Sequence, residues 1–147
     1  RIRGRAALAR GDPDAAVTAL ESAVASAREG GFTQVEAQAL ASLGAAAAER
    51  GDAAEAASRL TAALDLGHRI EDARAVVSAA DRLADLLAVN GAGSEPIDRE
   101  ALARGLRGAP PETVPEHSAA DPAVYREIAD RWRVDGDGVA APYPPVD

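Results

Sequence analysis

The most constraining feature of this chain is a turn that returns every 40 residues. Gly11-Asp12 recurs as Gly51-Asp52, and Asn90-Gly91 follows at the same spacing. The six residues Ala7 to Asp12 align with Ala47 to Asp52. Past the turn, Ala16, Leu20, Ala23 and Val24 align with Ala56, Leu60, Ala63 and Leu64. Ahead of it, Leu43, Gly44 and Ala47 align with Leu83, Ala84 and Leu87. A fixed period of this length marks a stacked repeat, in which each unit buries its apolar face against the next.

Each unit reads as two helices. Leu40, Leu43, Ala47 and Ala48, then Ala56, Leu60, Ala63 and Leu64, recur at helical spacing. Gly51 stands where a left-handed residue closes a helix, and Asp52 where an acceptor caps the next one. Asp12-Pro13 adds a proline at the first helical position. The pattern predicts helices near 1–10, 13–29, 33–50, 53–69, 71–90 and 95–107. Gly30-Gly31 separates the first two units; the break after residue 69 lacks a glycine. Alanine supplies much of the 47% apolar content, and only Phe32, Tyr125, Trp132 and Tyr143 are aromatic. Thin Ala/Leu layers and the high helix propensity of Ala favour closely packed helices over a β-sandwich.

Small and large residues at Leu43-Gly44, Ala47, Gly51, Ala56, Leu60 and Ala63 resemble the tetratricopeptide pattern. Gly4, Ala7, Gly11, Ala16, Leu20 and Ala23 repeat it in the first unit. The third unit keeps Leu83, Ala84, Leu87 and Gly91, then departs at Pro96 and Glu100, as a capping unit would. The period exceeds the common tetratricopeptide length of about 34 residues and also suits HEAT-type or armadillo units. The Leu-Gly/Ala/Gly-Asp pattern favours the tetratricopeptide type. Units of this length resemble those of large bacterial signalling ATPases, LuxR-type regulators and antibiotic-regulatory proteins. The resemblance implies an all-α fold: a right-handed α-solenoid of about three antiparallel helix pairs over residues 1–107. A Pro-rich linker (108–120), a short amphipathic helix (121–134) and a flexible tail (135–147) complete the expected layout.

The same resemblance implies a protein- or peptide-binding scaffold or sensor. Its first helices would line a concave face formed by Arg5 and Leu8, by Gln38, Ala41, Ala45 and Glu49, and by Ser78, Asp81, Asp85 and Val89. The acids there would select cationic or neutral peptides. The face lacks the Lys and Asn set with which tetratricopeptide clamps hold acidic C-termini. A structural spacer or oligomerisation segment without a selective face is the alternative.

Charge and motif content exclude other classes. Net charge is −8, divided as −3 over residues 1–108 and −5 over 109–147, and the chain has no Lys. Neither nucleic acid nor an anionic membrane is an expected partner, since both need clustered positive charge. Cys is absent, so thiolate metal sites and disulfides are ruled out. Arg10-Gly11-Asp12 and Arg50-Gly51-Asp52 read as one interhelical turn seen twice, not as an adhesion motif. Asp135-Gly136-Asp137-Gly138 lacks the later ligands of a calcium loop. His68 and His117 have no ligand partner at helical spacing; an exposed and a linker histidine are the expectation. No metal, cofactor or catalytic set is expected, so the chain reads as a non-enzyme. The chain begins at Arg1 and contains no Met; it reads as a cytoplasmic, bacterial piece of a longer protein with neighbouring domains. On the short helix, Val124, Tyr125, Ile128, Ala129 and Trp132 form one apolar stripe. The open end of the repeats near Leu102 and Leu106 is its expected docking place.

Overall fold

A computed structural model describes residues 13–90, 97, 99–109 and 119–133. Six helices run through them: α1 (Pro13–Gly30), α2 (Thr33–Glu49), α3 (Ala53–Ile70), α4 (Ala73–Asn90), α5 (Arg99–Gly105) and α6 (Pro122–Arg133). No strand occurs among the described residues, and no described helix is long and apolar enough to cross a membrane. The expected helix at 1–10, the turn at Arg10-Gly11-Asp12 and the tail from 135 lie outside the described residues.

Turn chemistry sets the helix boundaries. At the end of α1, the Gly31 N–H donates to the Arg28 carbonyl and the Phe32 N–H to the Ala27 carbonyl. The same pair of bonds ends α2, from Gly51 to Ala48 and from Asp52 to Ala47, and ends α3, from Glu71 to His68 and from Asp72 to Gly67. This is the Schellman closure, which needs a left-handed residue at its pivot. Gly31 and Gly51 meet that need with φ of 74° and 79°. The third pivot is Glu71, with φ of 54°. The turn that lacked a glycine signal therefore forms anyway, with a residue that carries a Cβ strained in that region. Asp52 then caps α3 by accepting from the Glu55 N–H at 3.1 Å. Asp72 caps α4 by accepting from Arg74 and Ala75. Arg50-Gly51-Asp52 is thus an interhelical turn, as its helix-end chemistry requires.

Consecutive helices α1 to α4 pack as antiparallel neighbours, and α2 also touches α4. The approach between α2 and α3 is close. A Cβ on Gly44 would stand 2.5 Å from Leu60 Cγ, so only glycine allows this contact. Leu60 is wholly buried, among Leu20, Leu40, Leu43, Leu64 and their alanine neighbours. On α4, Ala75, Val76, Ala79, Ala80, Leu83, Ala84, Leu86 and Leu87 are all buried. They span about half of the helix circumference, wider than the stripe of a helix packed on one side only.

The two C-terminal helices take places the repeat pattern does not anticipate. The expected third pair was 71–90 with 95–107. Instead α5 is only seven residues long and packs on α3. Gly105 abuts Thr61, and Arg107 pairs with Asp65 at 3.0 Å. It is α6 that packs on α4. The physical reason is size. A seven-residue helix with Leu102 and Leu106 as its buried anchors covers too little of α4. The stripe of α6, with Tyr125, Ile128 and Trp132 all buried, covers more. The stripe is therefore docked, but against α4 and not against α5.

Replacing the strained pivot tests the turn assignment. Glu71→Gly is expected to stabilise the fold by roughly 0.5–1 kcal/mol in a denaturant melt, because a left-handed non-glycine costs about 1–2 kcal/mol and glycine gives part of that back as chain entropy. A loss of stability would mean that the α3–α4 turn does not close through a left-handed Glu71.

Candidate peptide-binding face

The side of α4 left uncovered by the core carries Ser78, Asp81, Arg82, Asp85 and Val89. These follow one another at three- and four-residue steps and so share one helix face. Small side chains on the facing part of α2 leave a depression beside them. Ala45, Ala48 and Glu49 of α2 form one wall and Arg82, Asp85, Leu86 and Val89 of α4 the other, with Gly51 and Ala53 also lining it; its volume is about 340 Å³. Val89 is 84% exposed, the most exposed large apolar side chain described. Among the described residues neither Glu49 nor Arg82 has an ion-pair partner. The depression therefore offers a small apolar floor with uncompensated charge of both signs at its rim.

Toward the other end of α4 lies a wider hollow of about 1010 Å³. Thr33 and Gln34 of α2, the α3–α4 turn, Val77 and Ser78 of α4, and Trp132 and Arg133 of α6 surround it. It is more polar and more open to solvent than the smaller groove.

The expected face is thus only partly assembled. Arg5 and Leu8 lie outside the described residues. Ala45, Glu49, Asp85 and Val89 come together in the smaller groove, while Ser78 lines the wider hollow. Ala41 is 3% exposed and belongs to the core. Its phase on α2 points it into the bundle, so it cannot meet a ligand. Gln38 is half-buried, and its Nε2 donates to Asp72 Oδ2 at 3.5 Å. Asp81 pairs with Arg133, and Asp85 with Arg126 at 3.6 Å. Two acids expected to await a cationic ligand are engaged by the chain's own C-terminal helix. Sequence reasoning passed over Arg82 and Leu86. The four-residue step from Ser78 to Arg82 was the signal that could have found the arginine.

Behind this face sits His68, expected to be exposed but in fact 7% exposed. It ends α3 where α5 and α6 converge. A Cβ on Gly108 would collide with its side chain. Its ring meets Trp132 edge to face, with centroids 5.6 Å apart. The Trp132 contact explains the error: a histidine near a helix end is exposed unless a distant segment covers it. Burial lowers the His68 pKa from 6.5 to about 4, and a hydrogen bond to the Gly105 backbone and the Asp65 charge offset only part of this. Burial likewise raises the pKa of Tyr125, whose hydroxyl donates to the Ala119 carbonyl at 2.6 Å. Both displaced groups face packing rather than the groove. Among the described residues no three His, Cys, Asp or Glu side chains are placed to hold a metal ion.

Comparison with protein-family models, with curated proteins and with solved structures finds no match.

The depressed His68 pKa has a definite sign. The unfolded chain takes up a proton near pH 6.5, whereas the folded chain resists until about pH 4. Stability is therefore full above pH 6.5 and falls as the pH drops toward 4, by roughly 3 kcal/mol in total. Melts of the parent chain and His68→Gln between pH 7.5 and pH 4.5 check this. The difference between the two curves is expected to change steadily through the window; parallel curves would place His68 in solvent.

Proposed function

We propose that this chain is a tetratricopeptide-type scaffold that binds a short protein segment and performs no chemistry of its own. On this reading α2 and α4 are the inner helices of successive units in a right-handed stack, and the third pair is completed by α6 rather than by α5. The identical closures at Gly31, Gly51 and Glu71 support it, as does the contact between α2 and α4. In the third unit α6 takes the place beside α4 that the next helix in sequence would hold.

One observation carries the functional part: the groove between α2 and α4, with its alanine floor, exposed Val89 and unpartnered Glu49 and Arg82. An exposed apolar side chain beside a small concave surface is the form that an anchor residue of a ligand fits. At about 340 Å³ the groove has room for an aliphatic anchor together with the residues that flank it. The charges favour a segment bearing one basic and one acidic residue around that anchor, an arrangement that sets orientation more than affinity. A catalytic reading needs titratable groups with displaced pKa values gathered in a pocket. His68 and Tyr125 have such values but lie in packing.

Selection from a displayed random peptide library against the chain tests the proposal. Selected peptides should share an aliphatic anchor flanked by opposite charges. Ala48 is exposed, so Ala48→Arg fills the groove without entering the core. It is expected to weaken the selected peptides roughly tenfold or more, a loss of about 1.4 kcal/mol, with an unchanged melting temperature. Equal binding by Ala48→Arg, or failure to select any peptide, would favour a spacer without a selective face.

A further inference from the structure

We infer that the face between α2 and α4 takes an extended peptide of a partner whose two acidic side chains, four residues apart, are held by Arg82 and Arg74. The inference rests on the reading of the α2–α4 groove as a peptide site and adds to it a second contact and a ligand charge.

The groove and the wider hollow are the two ends of one face. On α4, Arg74, Ser78, Arg82, Asp85 and Val89 follow at steps of three and four residues, which puts them in one line along the helix. Arg74 and Ser78 line the hollow, and Arg82, Asp85 and Val89 line the groove. On α2 the matching line runs from Gln34 at the hollow to Ala45 and Ala48 at the groove. From Arg74 to Val89 the helix rises about 22 Å, at ~1.5 Å per residue. An extended chain covers that length with about seven residues.

The sign of the ligand follows from which charges are already engaged. Asp81 pairs with Arg133 and Asp85 with Arg126. The Asp72 carboxylate caps α4 by accepting from the Arg74 and Ala75 N–H groups, and it meets Gln38. Arg74 and Arg82 are exposed, and among the described residues neither has an ion-pair partner. Asp81 and Asp85 pointed to a cationic ligand; with both paired, the open charge along the middle of the face is positive. Glu49 at the groove end and Glu71 at the rim of the hollow lie outside the two arginines and confine the acidic part of the ligand to the stretch between. The arginines are about 12 Å apart along the helix. Four residues of extended chain span about 13 Å and return the side chain to the same side, whereas three turn it away.

The net charge of −8 repels an acidic peptide at long range. At physiological salt that repulsion fades over about 8 Å, so the two local pairs decide. Exposed pairs add little affinity. The aliphatic anchor supplies the rest, and the arginines set register and direction.

The probe is a fluorescein-labelled, amidated octapeptide, Lys-Leu-Ser-Glu-Ser-Ala-Ser-Glu, titrated with the full chain and followed by fluorescence anisotropy. Changing both glutamates to glutamine should weaken binding, and so should removal of the alanine, which brings the acids three apart. Arg74→Glu and Arg82→Glu should each weaken the octapeptide roughly fivefold, and together roughly twenty-fivefold, because the two positions are far enough apart to act independently. A peptide ending in lysine should recover binding to Arg74→Glu, which a damaged fold could not give. Ala48→Arg should weaken the glutamate and glutamine peptides alike, because it acts at the anchor. Equal binding of the two peptides, or indifference to Arg74→Glu and Arg82→Glu, would overturn the inference. The groove reading would survive that result if Ala48→Arg still weakened both peptides. Absence of binding by either peptide at millimolar chain would overturn the inference too, and the library selection would then judge the groove by itself.

Discussion

The contact between Gly44 and Leu60 governs the rest of the molecule. With alanine as the commonest apolar residue, side chains alone cannot fill the space between helices set at ordinary separation. The helices must approach until backbone meets side chain, and they can do so only where a Cβ is missing. Gly44 provides that absence on α2, and Leu60 of α3 fills it. Close packing then follows along the hairpin, where Ala37, Ala47, Ala56 and Ala63 are fully buried. The same small side chains have an opposite effect at the margin of the bundle. Where Ala45 and Ala48 face solvent, nothing fills the gap to α4, and a groove remains. One compositional choice thus yields both the core and the cavity.

Most of the fold was legible because its boundaries are set locally. Glycine, aspartate and proline at helix ends act within a few residues, so the limits of α1 to α4 follow from sequence to within two residues. Glu71 was harder: its closure matches those at Gly31 and Gly51, but the hydrogen bonds impose the left-handed geometry on a residue that does not advertise it. Long-range choices were less legible. Whether α4 takes α5 or α6 as its neighbour depends on which offers more apolar surface, and the repeat alone cannot weigh that. His68 became a core residue for the same reason, since its cover comes from Trp132, 64 positions on. The candidate face was read at the level of a helix side: Glu49, Asp85 and Val89 line one groove, whereas Ala41 lies one step out of phase in the core.

Charge gives the face its character. Acids outnumber bases across the chain, yet two of the three arginines of α6, Arg126 and Arg133, pair with Asp85 and Asp81. On this face of α4 Arg82 remains open, with Glu49 across the groove and the exposed Val89 beside it. Helix α6 therefore divides the uncovered side of α4 into an edge already matched by a helix and a smaller groove still unmatched.

The claim that close approach at one glycine organises the bundle is tested most directly by a double-mutant cycle at Gly44 and Leu60. Leu60→Ala alone should cost roughly 2–5 kcal/mol, as truncation of a fully buried leucine does. Gly44→Ala alone should also destabilise, because its new Cβ meets Leu60 Cγ and Cδ2. In Leu60→Ala those two atoms are gone, so the added methyl group enters vacated space. Denaturant melts of the four proteins should show the double variant more stable than the sum of the single losses, by about 1 kcal/mol or more. Additive losses would mean that α2 and α3 do not meet at this point, and the packing derived from it would fail.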